Sequence, residues 1–131
     1  MTTIKAKIKH IDDLHFEHAL WASEAKFYLD ELKIYQKRLE EVASKNNSEE
    51  IRKQVEHFQN QFIIQKEQLD ILNHEVIVHE QWLANFAKKH PSAIDHQLFA
   101  DHKTMHDRMD SFHKIYTELK NEFNRFLATW M

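Results

Sequence analysis

A chain of 131 residues with no glycine and a single proline lacks the residues on which tight strand connections depend. Hairpin turns need residues that tolerate positive φ or pre-set a turn angle. Most sheet architectures are therefore excluded, and the expected fold class is all-α.

The apolar pattern agrees with this expectation. From Leu14, steps of four and three lead through His18, Trp21, Ala25, Tyr28, Leu32, Tyr35, Leu39 and Val42, which is a heptad seam. The polar stretch Ser44 to Ser48 interrupts it, and Ser48 is placed to cap a second helix with Glu49 and Glu50 in its first turn. The second seam runs Ile51, Val55, Phe58, Phe62, Gln65, Leu69, Leu72, Val76, His79, Leu83, Phe86. Lys88, Lys89 and His90 suit a helix C-terminus, and Pro91, Ser92 and Asp95 suit a stop and a new cap. The third seam is Asp95, Leu98, His102, Met105, Met109, Phe112, Tyr116, Leu119, Phe123, Phe126, Trp130. Three long helices over about 12–44, 48–89 and 92–131 are predicted, antiparallel because their connections are short, in one domain spanning 1–131. Residues 1–10 read as an extended or flexible basic arm around Lys5, Lys7 and Lys9.

Several function classes drop out. A net charge of -3 offers no broad attraction for nucleic acid. No stretch has the apolar length of a membrane span or the pattern of a signal peptide, so a cytoplasmic location is the expectation. No glycine loop is available to cradle phosphate, and no Ser-His-Asp spacing supports a hydrolase. Without cysteine, a metal is expected to be held by nitrogen and oxygen.

Off the seams, Leu20, Phe27 and Ile34 repeat every seven residues on the first helix, as do Ile64, Ile71 and Val78 on the second, flanked by Ile63 and Ile77. The corresponding outer positions of the third helix are Thr104, Ser111, Glu118 and Arg125. Two such stripes predict a homodimer through helices 1 and 2.

Within the packed stretch four seam positions are neither apolar nor aromatic: His18, Gln65, His79 and His102. Each needs a partner if buried. Gln65 falls level with Tyr28 and Tyr116, whose hydroxyls are the expected partners in a register-fixing polar layer. Folding the chain about its two turns brings His18, Glu75, His79, His102 and His106 within about 7 to 8 Å along the axis at 1.5 Å per residue. Glu75 with His79, and His102 with His106, are each four apart and share a helix face. Glu17 projects to the same level as a reserve carboxylate for a second ion, while His15, His74, Glu80 and Asp110 are more distant candidates. Imidazole nitrogen with glutamate oxygen suits a divalent transition metal: zinc, iron, manganese, nickel or copper.

These residues resemble the hemerythrin-like proteins among the di-metal carboxylate-histidine helical bundles. The resemblance rests on His18, Glu75, His79, His102 and His106, and on the His102 to Asp107 spacing, although the heptad phase turns Asp107 away from the core. It implies non-haem iron and a small ligand such as dioxygen, in oxygen or peroxide chemistry, storage or sensing. Whether such a site is catalytic stays open at this point. The competing reading is a structural or adaptor three-helix coiled coil, similar to a spectrin-like repeat, with the histidines as core or pH-sensitive residues.

Overall fold

In the computed structural model the described residues are 11–89 and 96–131, and they form three helices: α1 Ile11–Lys45, α2 Glu49–Lys89 and α3 His96–Trp130. The basic arm and the expected stop-and-cap signal at Pro91, Ser92 and Asp95 lie outside the described residues. Among those described there is no strand, and no helix is long and apolar enough to cross a membrane.

The α1 to α2 turn is made by the side chains the sequence supplies. Asn46 donates from Nδ2 to the Val42 carbonyl, satisfying one of the orphan acceptors at the end of α1. Ser48 caps α2, its Oγ accepting from the Ile51 amide at 3.3 Å while its carbonyl accepts from Arg52. Acidic residues open α1 (Asp12, Asp13) and α2 (Glu49, Glu50), and lysines close both, as the helix dipole favours.

The chain divides into two compact units. The first combines the chain up to Ala25 with Ile71–Asp110. Its buried apolar side chains include Leu14, Trp21, Leu72, Val76, Leu83, Leu98, Met105 and Met109, all of them seam positions. Leu14, Leu83 and Leu98 make one apolar layer, with Ile11, Trp82 and Phe86 packed at its rim.

The second unit combines Lys26–Asp70 with Ser111–Met131. Its core is aromatic: Phe62 and Phe123 meet edge to face at 4.9 Å, and Phe58 lies 4.9 Å from Phe126. Tyr116 donates to Glu31 at 2.7 Å, and Lys120 holds the other oxygen of that carboxylate at 3.0 Å. Burial and the neighbouring carboxylate push the Tyr116 hydroxyl far up, so it remains a donor. Tyr28 is bonded to His113. Gln65 is buried as expected, but its Oε1 has no partner; the tyrosine hydroxyls named for it engage Glu31 and His113 instead.

The off-seam stripes are about half exposed, from Leu20, Phe27 and Ile34 on α1 to Ile64, Ile71 and Val78 on α2. In the first unit Leu20 lies one turn from Glu17, which contacts α3, and Val78 lies one turn from Glu75, which also contacts α3.

Truncating Phe62, which is fully buried, is expected to cost about 3–5 kcal/mol in Phe62→Ala, read from the shift of a urea unfolding midpoint. A loss below about 1 kcal/mol would contradict the packing described for the second unit.

Candidate metal centre

Each helix brings one histidine to a single layer of the first unit. His18 of α1, His79 of α2 and His102 of α3 occupy seam positions because the heptad places them where leucine would otherwise sit. Their exposures are 2%, 5% and 1%. One ring nitrogen from each falls in a group no wider than 4.8 Å.

The contacts inside the layer are specific. His18 Nε2 lies 2.9 Å from His79 Nδ1 and 3.2 Å from His102 Nδ1. Two ligand nitrogens on one ion, each about 2.0–2.1 Å from it, are about 2.8–3.4 Å apart at octahedral to tetrahedral angles. Two of the three pairs thus already hold nearly that spacing, within a group up to 4.8 Å wide.

Behind the rings stand two carboxylates. His18 Nδ1 donates to Glu80 at 2.7 Å, and His102 Nε2 donates to Glu17 at 2.6 Å. An ionised carboxylate only accepts, so each fixes a proton on the outer nitrogen and leaves the inner nitrogen of the neutral ring a lone pair. Burial lowers the pKa of all three rings, against the raising effect of Glu80 on His18 and Glu17 on His102. The rings are accordingly neutral at neutral pH.

Proton placement then has a consequence. His18 Nε2 and His102 Nδ1 face each other at 3.2 Å with no proton between them. The only ring able to donate inward is His79, through Nδ1 to His18. Its Nε2, on the far side, is buried without a well-formed hydrogen bond, although the backbone of Leu98 favours a proton on this ring. A cation in the middle would use all three inner lone pairs and would leave the His79 proton on Nε2.

Aromatic walls enclose the layer. Trp21 stacks on His102 at 4.9 Å and 26°, and Trp82 meets His79 edge-on at 5.5 Å.

The other expected site residues fall elsewhere. Glu75, expected as a ligand, pairs with Arg108 and is outside the histidine group, because a guanidinium within reach of a half-exposed carboxylate claims it. His106, also expected as a ligand, sits at the surface: its Nε2 is 3.9 Å from Glu17 and its Nδ1 is 3.5 Å from Asp110. Glu17 reaches the outer edge of His102 and not the centre of the group. Asp107 is exposed, as its heptad phase requires. Glu80, which the seam arithmetic ranks as distant, is the partner of His18 and also binds surface His15 at 2.6 Å. One signal points to it: Glu80 follows His79 directly, just as Glu17 precedes His18, so both flank a seam histidine.

No protein-family model, no curated protein and no solved structure matches the chain. The hemerythrin-like resemblance therefore stands on individual residues alone.

A pH dependence follows from the lowered pKa values. Between the depressed folded values and the ordinary histidine value of about 6.5, the unfolded chain binds more protons than the folded one. The histidine contribution to stability is thus complete above about pH 6.5 and is lost as pH falls through the folded values. Metal-free protein is expected to show urea midpoints that drop between pH 7.5 and 5; an unchanged midpoint would mean that the rings are not held neutral.

Proposed function

We propose that the protein binds a transition-metal ion through His18, His79 and His102, one ligand from each helix. The observation that carries this reading is the pair of outer carboxylates, which fix the tautomers of two rings so that their lone pairs converge on the third. Carboxylate behind histidine is the arrangement that orients metal-bound imidazoles, and removing such a partner commonly costs 10–100-fold in metal affinity. Glu17 and Glu80 also place negative charge one hydrogen bond from the centre, where it compensates a cation.

The ions expected from sequence, iron first and then zinc or manganese, all accept imidazole nitrogen. One ion is favoured over two, since Glu75 is engaged by Arg108 and no further group of three metal-ligating side chains occurs among the described residues. Oxygen or peroxide chemistry needs an open coordination position and a route for the small molecule. Rings that are 1–5% exposed behind two indoles favour holding an ion over turning one. Storage, sensing or a structural staple across the three helices fits this better than catalysis.

The structural reading also has an observation in its favour. Without any ion, Glu80, Glu17 and the His79 to His18 contact satisfy much of the polar layer. The two readings separate in a His18→Leu, His79→Leu, His102→Leu variant. A scaffold becomes more stable, because apolar packing replaces polar burial; a metal protein loses its ion and the stability that binding adds.

The direct experiment is plasma mass spectrometry on protein purified without a histidine tag, beside a His79→Ala, His102→Ala variant. Close to one metal ion per chain, absent from the variant, is expected. Added metal at about 100 times its Kd should raise stability by about 2.7 kcal/mol in the parent chain and not in the variant. Metal-free protein whose melting temperature no transition metal raises would sink the reading.

A further inference from the structure

The layers above and below the three histidines limit what else an ion there can touch. On one side lies the Leu14, Leu83, Leu98 layer, 0–1% exposed and without a donor atom. On the other side the next seam positions are Trp21 on α1, Val76 on α2 and Met105 on α3, all buried. Indole N–H donates and cannot ligate, and valine has no heteroatom. Among the described seam positions of these adjoining layers, the Met105 thioether is the one remaining donor, three residues beyond His102 on the same buried face of α3.

The carboxylates do not alter this count. Glu17 and Glu80 are occupied at the outer edges of His102 and His18, and using either as a ligand would release the ring it orients. Iron, manganese and zinc complete four to six positions with oxygen donors or water. Beyond the three ligating nitrogens, the adjoining layers of leucines, valine and indole give an ion-bound water few polar partners.

Resting on the metal-binding reading, we infer that the site is built for copper in its cuprous state, held by three imidazoles with the Met105 thioether as a weak axial ligand. Soft thioether sulfur selects copper(I), a d10 ion that accepts three nitrogen donors without demanding a full octahedron. Expecting only nitrogen and oxygen donors in a cysteine-free chain left methionine sulfur out of account. Met109, one turn further along the same seam, is equally buried but seven residues from His102, so it serves as the internal control.

The test uses the full chain under anaerobic conditions. Copper(I) affinity is measured by competition with bicinchoninate, and zinc(II) affinity by competition with a chromogenic chelator, for the parent, Met105→Leu and Met109→Leu proteins. Leucine keeps the volume, and circular dichroism verifies that each variant folds. The expected result is that Met105→Leu weakens copper(I) about tenfold while leaving zinc(II) unchanged, and that Met109→Leu changes neither. Equal copper(I) affinities in Met105→Leu and Met109→Leu would overturn the thioether ligand, and copper(I) bound no tighter than zinc(II) would overturn the choice of copper. Either result leaves metal binding itself standing, whereas a parent chain whose melting temperature no transition metal raises overturns the underlying reading as well.

Discussion

Three neutral imidazoles share one buried layer, and neutrality is the condition on which the rest of the first unit depends. A protonated ring there would carry charge into a setting of leucine and tryptophan, at a desolvation cost that the nearby carboxylates only partly offset. Burial wins this contest at each ring, lowering all three pKa values. The carboxylates take a different role: they decide which nitrogen of His18 and His102 bears the proton, and so which nitrogen looks inward.

This division of labour links heptad to chemistry. Seam position buries a ring, and a flanking acid orients it. Glu17 and Glu80 sit next to His18 and His79 in sequence but each serves a ring on another helix, His102 and His18 respectively. The layer is therefore cross-braced: α1 supplies the acid for α3, and α2 supplies the acid for α1. The second unit uses the same device for another end, with Glu31 of α1 receiving Tyr116 and Lys120 from α3. There the buried polar group is a hydroxyl fixed as a donor, and no cluster of lone pairs results.

Fold and burial were highly legible in the sequence, because a glycine-free chain with period-3.5 seams has one way to hide its apolar residues. Among the described residues every buried one is a seam residue, and the three histidines were found on that ground alone. Helix ends at Lys45 and Glu49 were legible too, since Asn46 and Ser48 act through their own side chains. The outer partners were not. Seam arithmetic gives height along the axis but not the azimuth or reach of a side chain, so Glu75 and His106 ranked above Glu80. Arg108 decides the first case by capturing Glu75, and the flanking position of His106 decides the second. Gln65 shows the same limit: its level matched the tyrosines, yet Glu31 and His113 had the better geometry.

The histidine layer also ties together parts of the chain that are far apart in sequence. His18 meets His79 across 61 residues and His102 across 84. Closing such loops carries an entropic cost that local helix formation does not repay by itself. The three ring nitrogens can converge only after α3 has docked on both other helices. An ion bound there would report that folding of the first unit is complete, and its loss would be an early sign that α3 had begun to leave.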